Sequence, residues 1–455
     1  MLIGKPKKKQ PSRAKPAPGK EFDYSAIPIE LDPNLQQRKI LSQAIGARRF
    51  AWNIALDWIN SKRVQPNAIA LINYYNQVKR VEIPWWDSVS KHCFESAFQD
   101  LAQAFKNFFK NPIHFGRPVK KKKNDHDTCR LRQGISISGR KVKLPVCGKI
   151  RYKNDIFSIP LGATIQAVTL SKVAAHYYCS ILIRKEVDIK YIPHPDKIKC
   201  KGIDSGLKSA LIITDGTNVE FIKPTKPLKK AQCKLKRAQR ALCKAKKGSK
   251  NRAKQRRKLA KIHHHVAQMR RSDQHANSKH VTLPLDNQPW LLGVEDVAWN
   301  NLIKNHCLAQ SISDVAPAGT IILIEYKALK YGGLMIKIGR YFPSSKQCSG
   351  CGNVKKTLTL GERTYHCELC GLKMDRDENA ARNIRVEAMR IYRELYFSRN
   401  DQVPLSQREA VKFLSKTVEC QKKSVPLSVR DADKTGHDES VSYVKIVNNK
   451  PVPAP

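Results

Sequence analysis

Four cysteines in the C-terminal third stand at the spacing of a metal centre. Two residues separate Cys348 from Cys351, fifteen residues follow, and Cys367 and Cys370 repeat the spacing. Each Cys-x-x-Cys turn brings two sulfurs to one side, and two such turns supply the four thiolates of a tetrahedral zinc site. Gly352 and Gly371 follow the second cysteine of each pair, where a tight knuckle needs backbone freedom. Four protein ligands leave no position for water, so this zinc is expected to be structural. Either pair alone could be a redox dithiol; the repeat at ribbon spacing argues for metal. A burst of acid follows at once in "MDRDENAARNI", with Asp375, Asp377 and Glu378.

Three carboxylates stand out by position. Asp204 ends an apolar run in "KGIDSGLK", Glu295 ends another in "LLGVEDV", and Asp377 opens a helical pattern in "DRDENAARNI". Acids at the ends of neighbouring strands and at a helix start can converge on one spot. Hard oxygen ligands of that kind suit Mg2+, which also takes oxygens from a phosphate substrate. Two such ions about 4 Å apart would serve in-line phosphodiester hydrolysis. Taken singly, each acid reads better as a strand-end or cap residue. Their order, a strand and hairpin with the first acid, a distant strand with the second, then a helix with the third, is that of an RNase H-like nuclease.

The charge names the partner. The 455 residues hold 85 Lys and Arg against 38 Asp and Glu, a net charge of +47. That excess calls for a polyanion, nucleic acid before an anionic membrane. No apolar run approaching a membrane span and no apolar signal core are read, so the chain is expected to be cytoplasmic and nucleic-acid associated. Residues 223–271 contain 20 Lys or Arg and no acid. Leu228, Leu235 and Leu242 recur every seven residues, and Leu259, Ile262, Val266 and Met269 every three or four, which predicts two basic helices broken at "KGSKNR". Lys236, Arg237, Arg240, Lys250, Arg252, Lys254, Arg256 and Arg257 are the expected phosphate contacts there. A second basic loop holds Lys120, Lys121, Lys122 and Lys123, and Lys355, Lys356 and Arg363 of the ribbon are further candidates. The other nine cysteines are scattered singly and read as small buried or partly buried hydrophobes.

The elements that must position these groups read as follows. "YSAIPIEL" is a strand, and Asp32-Pro33 is a helix start with Asp as the cap and Pro in the first turn. Helices follow through Ile40–Trp58, "ALINYYNQVKR" and "SVSKHCFESAFQDLAQAFKNFFK". Short strands between about 134 and 192 then suggest a β-barrel into which the helices are inserted. "GIDSGLKSALIITDGTNVEFIK" reads as a strand and hairpin turning at Asp215-Gly216. "PWLLGVEDV" is a strand, "NNLIKNHCLAQSISDVA" a helix, and "GTIILIEYKAL" another strand. "DENAARNIRVEAMRIYREL" is helical.

The segments "GIDSGLKSALIITDG", "KKGSKNRAKQRRKLAKIH", "GVEDV", "RYFPSSKQCSGCG", "RTYHCELCG" and "DRDENAARNI" resemble the motif series of the TnpB (OrfB) proteins. These are transposon-encoded RNA-guided DNA endonucleases, related to the compact type V CRISPR effectors. The likeness extends upstream through "LDPNLQQRKILSQAIGARRFAWNIAL" and "VKLPVCGKIRYK" and covers roughly residues 25 to 390. It implies a multidomain α+β protein with a RuvC-type active site of Asp204, Glu295 and Asp377, Asp377 being preferred to Asp375 because it stands just before "ENAA". It implies a guide RNA from the transposon end, a double-stranded DNA target, and a short flanking motif read with help from the helix around Lys91 and Glu95. Ser205 and "EDVAWNN" depart from the family's usual residues without removing an acid. A CRISPR effector, a non-cleaving guided binder and a strand-transferring transposase are the competing readings.

The expected organisation is then a basic tail (1–22) and a β-barrel (23–35 and 125–195) with a helical insertion (36–124). A RuvC-like nuclease domain (196–342 and 373–398) carries the basic hairpin and an inserted zinc ribbon (343–372). A poorly ordered tail (399–455) follows.

Overall fold

The computed structural model describes residues 15–123, 128–153, 159–174, 176–283, 288–359, 361–397, 406–412 and 414. The chain divides into two compact units, one ending at Asp188 and the other beginning at Ile189.

The first unit opens with β1 (Lys20–Asp32), a long strand that reaches into the expected N-terminal tail, of which residues 1–14 lie outside the described residues. Helices α1 (Leu35–Asn60), α2 (Ala68–Glu82) and α3 (His92–Lys110) follow. The remaining strands are β2 (Thr128–Leu131), β3 (Ser136–Ser138), β4 (Lys141–Leu144), β5 (Gly148–Tyr152), β6 (Thr164–Val173) and β7 (His176–Asp188). They pair in the order β2-β6-β7-β1-β5-β4-β3, and no ladder joins β2 to β3 among the described residues. The row expected to close as a barrel is thus seen as a seven-stranded sheet. Its core comes from helix and sheet together: Leu41, Ala51 and Leu56 of α1, Phe94, Phe98 and Leu101 of α3, and Leu131, Ile150 and Ile181 of the sheet are all buried.

The start of α1 differs from expectation. Asp32 is still in β1, paired with Arg151, so it cannot cap a helix. The cap is Asn34, whose side chain accepts the Gln37 N–H at 2.8 Å while the Gln37 side chain accepts the Asn34 N–H at 3.1 Å. That reciprocal pair is a capping box, and it outcompetes a Pro at the first position.

The second unit holds β8 (Lys199–Asp204), β9 (Leu211–Thr214) and β10 (Val219–Ile222), then α4 (Pro227–Lys244) and α5 (Lys250–Thr282). β11 (Trp290–Glu295) is followed by α6 (Trp299–Leu302), α7 (His306–Val315) and α8 (Pro317–Lys330), then β12 (Leu334–Ile338). A small ladder of β13 (Thr364–His366) and β14 (Lys373–Asp375) precedes α9 (Arg376–Phe397). The five-stranded sheet has the order β10-β9-β8-β11-β12; β8, β9 and β10 are antiparallel, and β11 is parallel to both β8 and β12. Central strands read as near-continuous apolar runs because both faces are covered. One face carries Ile203, Leu292 and Val294 against Val281 of α5 and Ile321 and Ile324 of α8. The other carries Cys200 and Leu291 against Ile384, Ala388 and Tyr392 of α9.

Several expectations change here. "GTIILIEYKAL" is helix, not strand: Ala316 adopts φ +50°, Pro317 starts α8, and Thr320, Ile321, Ile324 and Ala328 bury one helical face. An apolar run with β-branched residues fits either period, and the glycine-bounded "LMIKI" that follows takes the edge of the sheet instead. Residues 306–330 together are long and apolar enough for a membrane span, against the expectation that no run comes near one. The segment is broken at Ala316, and only one face of α8 is buried in the fold. The helix expected across 300–316 is split into α6 and α7, and buried Asp314 of α7 accepts the Leu228 and Lys229 N–H groups at 2.8 and 2.9 Å, capping α4. Within the expected C-terminal tail, residues 407–412 are helical, Gln407 donates to Gly333 O and Ala410 is buried beside α9; residues 415–455 lie outside the described residues.

Of the scattered cysteines, Cys93, Cys129, Cys147, Cys179 and Cys200 are buried as expected, but Cys233, Cys243 and Cys307 are exposed. Cys93 and Cys129 are not single at all: α3 and β2 bring their sulfurs to 3.1 Å. Cys420 lies outside the described residues.

Candidate functional site

Two knuckles build the cysteine centre. Gly352 N–H closes onto Cys348 O at 3.0 Å and Gly371 N–H onto Cys367 O at 2.9 Å, with the glycines at φ +77° and +73°. A Cβ is disfavoured in that left-handed region, so glycine is required by the turn itself. The four sulfurs lie within 4.8 Å of one another, with Cys348–Cys370 and Cys351–Cys367 both at 3.6 Å. A tetrahedron with Zn–S near 2.3 Å has edges of about 3.8 Å, so the residues fit zinc. The Cys370 and Leu369 backbone N–H groups pull the Cys367 thiol down to about 6, whereas Cys351 and Cys370 are raised, so without a metal the cluster favours one thiolate shared among its neighbours.

The ribbon is fastened to α9 by side chains outside the expected set of site residues. Asn379 accepts the Ser349 N–H at 2.9 Å and donates to Gln347 O at 2.6 Å. One turn on, Asn383 donates to Ser344 O and Gln347 O at 2.8 and 2.7 Å. Both asparagines are buried. Amides at i and i+4 in "NAARN" were the available signal, since that spacing puts them on one helix face.

The acids converge because of the sheet beneath them. Gly202 of β8 pairs directly with Gly293 of β11. Asp204 and Glu295 stand two residues further along their parallel strands, hence on the same face as the glycines and at the same level. α9 crosses this face so closely that a Cβ on Gly202 would lie 2.0 Å from Ala381 O. Asp377 is one helical turn before Ala381, which brings it above the ends of both strands.

The electrostatics report the convergence. Asp204 is pushed up to about 7, first by burial, then by the negative charges of Asp377 and Glu295; the Ser205 N–H and the Arg376 charge pull the other way. Glu295 is also raised, by burial and by Asp296. Partly buried carboxylates that repel one another are a donor set that a hard cation would relieve, so the residues fit Mg2+. Among the described residues, the four thiols form a group close enough to share an ion, and the three acids do not form such a group. Asp375 is engaged differently. Its Oδ1 accepts the N–H groups of Asp377 and Glu378 at 2.9 and 3.2 Å, capping α9 and leaving the Asp377 carboxylate for the site.

The basic candidates sort into exposed and engaged. Lys236, Arg237, Arg240, Lys250, Lys254, Arg256 and Arg257 are exposed along α4 and α5. Arg252 is not: its guanidinium donates to Leu242 O and Ala245 O at 2.9 and 2.8 Å, closing the end of α4. Between the two helices lies a cleft of about 580 Å³ with Ala238, Ile262 and Val266 at its floor and Lys234, Arg237 and Lys258 at its rim. Lys121 lies over the Trp52 ring at 3.8 Å and Lys120 pairs with Asp57 at 2.8 Å, whereas Lys122 and Lys123 are exposed. Lys355 is folded over Tyr365; Lys356 and Arg363 are exposed. Lys91 precedes α3 with its side chain exposed, and Glu95 is tied to His92 at 3.0 Å.

Comparison with known proteins gives three family profiles along the chain. A "Helix-turn-helix domain" of the OrfB/IS605 type matches residues 25–63, which fold here as the end of β1 followed by α1. A "Probable transposase" profile of the same type matches residues 180–306, and a "Cas12f1-like, TNB domain" profile matches residues 320–384. A protein of Streptomyces pristinaespiralis named as an RNA-guided DNA endonuclease is 32% identical over 80% of this chain and 88% of its own length. InsQ of Escherichia coli K12, named likewise, is 28% identical over 79% of this chain and 91% of its own. A Cas12f1–sgRNA–target DNA complex aligns at 17% identity over 76% of this chain and 81% of that one, with a TM-score of 0.47.

Proposed function

Because this chain belongs to the TnpB family of RNA-guided DNA endonucleases, we propose that it cuts double-stranded DNA beside a short flanking motif, with one RuvC-type site and a guide RNA from its transposon end. The observation that carries the active site is the convergence of Asp204, Glu295 and Asp377, felt as the raised pKa of Asp204. The sheet order, with an antiparallel hairpin on one side of β8 and parallel β11 and β12 on the other, supports an RNase H-like reading of the second unit.

Bound divalent ions would supply water activation and stabilisation of the leaving 3′ oxygen. The chain's residues do the rest. Asp204 and Glu295 hold their carboxylates at fixed height on paired strands, and Asp377 is aimed from the first turn of α9. The zinc ribbon acts on this geometry through Asn379 and Asn383, which lock α9 to the knuckle backbone. The zinc is therefore a positioning device for the last carboxylate, set apart from the chemistry.

The exposed cations of α4 and α5 would follow the phosphate backbone of RNA or of the heteroduplex. Such a surface reads duplex shape while base pairing reads sequence.

The test is to express the protein with its native flanking DNA, purify it and sequence the RNA it retains. One abundant species crossing the element boundary is expected, and it should direct Mg2+-dependent cutting that Asp204→Ala abolishes without loss of RNA. Full cutting by Asp204→Ala would overturn the active-site assignment. Bulk cellular RNA with strand transfer on transposon-end DNA would favour a transposase instead.

A further inference from the structure

Arg376 sits between the two centres. It is the first residue of α9, immediately before Asp377, and its backbone N–H donates to Arg363 O at 2.8 Å. Its Nη1 donates to Thr359 O at 3.2 Å and lies 3.4 Å from Glu362 O. Thr359 and Glu362 form a self-capped turn, in which the Glu362 carboxylate accepts the Thr359 N–H and hydroxyl at 3.0 and 2.7 Å. One side chain thus grips both carbonyls of a ribbon turn from the residue next to a candidate metal ligand. The guanidinium is also near enough for its charge to act on the Asp204 carboxylate. Its Nε is buried and has no hydrogen-bond partner. A buried donor left unpaired is costly, so such a placement persists only where the surroundings fix it.

The zinc knuckles lie elsewhere in the ribbon and close through their own backbone bonds. Asn379, in the first turn of α9, and Asn383, one turn on, join that helix to the knuckles. Arg376 adds a third tie, to a different ribbon segment and from the residue next to Asp377 itself.

We infer that Arg376 is a positioning residue, fastening the Thr359/Glu362 turn to the start of α9 and so setting where the Asp377 carboxylate stands relative to Asp204. This rests on the active-site reading above. Both carbonyl contacts are made by Nη1, whose hydrogens are held in the plane of the guanidinium, an orientation that a lysine ammonium on a flexible stem reproduces poorly. A displacement of about 1 Å at a catalytic group costs on the order of a hundredfold in rate.

The experiment uses the full-length protein with its guide RNA and compares Arg376→Ala, Arg376→Lys and Glu362→Ala. Zinc content, guide retention, Mn2+ affinity by electron paramagnetic resonance, and kcat against KM for target DNA are measured for each. Arg376→Ala is expected to keep its zinc and guide, to bind Mn2+ severalfold more weakly, and to lose about tenfold to a hundredfold in kcat with KM little changed. Arg376→Lys should recover only part of this. Glu362→Ala loosens the same turn from its exposed side and should give a smaller loss that does not add to that of Arg376→Ala. Wild-type Mn2+ affinity and kcat in Arg376→Ala, with Asp204→Ala inactive, would overturn the inference and leave the active-site reading standing. Loss of zinc from Arg376→Ala, with Glu362→Ala unaffected, would also overturn it, by making the residue part of the ribbon's fold. Active Asp204→Ala would remove the reading beneath both.

Discussion

Gly202 and Gly293 face each other across β8 and β11, and the gap their missing side chains leave is where α9 lies. A Cβ on Gly202 would meet Ala381 O at 2.0 Å, and one on Gly293 would meet the Ala388 Cβ at 2.6 Å. Backbone atoms cannot yield as a flexible side chain can. Gly202→Ala should therefore lift α9 from the sheet, carrying Asp377 away from Asp204. We expect a stability loss of about 1–3 kcal/mol, seen as a lower Tm, with guide RNA retained and DNA cutting nearly abolished. Cutting at the wild-type rate would mean that α9 does not deliver a catalytic acid.

The raised pKa of Asp204 makes a prediction with a definite sign. Its folded value of about 7 lies above the 3.8 of a free carboxyl, so between those values the folded protein holds a proton that the unfolded chain releases. Stability without divalent ions should fall as pH rises through that window, by roughly 4 kcal/mol in all for about three pH units. Asp204→Asn never takes up the charge. At pH 8 in chelator it should melt above the wild type, and the gap should close below pH 4. Thermal melts across pH 4–8 check this, and a wild type as stable as the variant at pH 8 would contradict it.

The same proton competes with metal. Apparent Mg2+ or Mn2+ affinity should rise by close to tenfold per pH unit below pH 7 and level off above about 8, because the ion must displace one proton from the acid cluster. Titration calorimetry or cutting rate against metal concentration at pH 6, 7 and 8 reads this directly. A flat profile would place Asp204 outside the metal site.

Cysteine and asparagine separate the ribbon's fold from its influence. Cys367→Ser should lose zinc and most cutting together. Asn383→Ala should keep one zinc per chain, because all four thiolates remain, yet cut more slowly, because Ser344 O and Gln347 O lose a donor from α9. Removing a partner from a buried amide network costs about 1–3 kcal/mol, enough to loosen the helix start. Zinc analysis beside a cleavage time course distinguishes the two variants; an Asn383→Ala protein with full activity would show that the ribbon need not be locked to α9.

Much of this was legible because the chemistry is local in sequence. The knuckles follow from cysteine spacing and glycine, and Asp204, Glu295 and Asp377 sit where strand ends and a helix start were readable. What was missed depends on packing. The run "GTIILIEYKAL" is apolar enough for either period, and only the αL turn at Ala316 and the choice of "LMIKI" as sheet edge decide for a helix. Glycines inside "KGID" and "LLGVE" signal a close backbone approach, but the approaching segment lies almost two hundred residues away for Gly202. Charge counting also could not tell Arg252 or Lys121 from their neighbours, because a cation's partner is fixed by tertiary contact.

That last distinction can be measured. Lys254, Arg256 and Arg257 are exposed on α5, whereas Arg252 closes the end of α4 through Leu242 O and Ala245 O. Neutralising Lys254, Arg256 and Arg257 to Gln should leave the fold intact and weaken guide binding in a salt-dependent way. Each lost phosphate contact removes about 0.7–0.9 from the slope of log K against log salt, so the triple variant should lose roughly 2 to 3 in slope. Arg252→Gln should change that slope little and instead lower the Tm, since two helix-end carbonyls lose their donor. Guide-binding isotherms at several salt concentrations, read beside thermal melts, test both halves. Equal slopes in the wild type and the triple variant would take α5 out of the nucleic-acid surface.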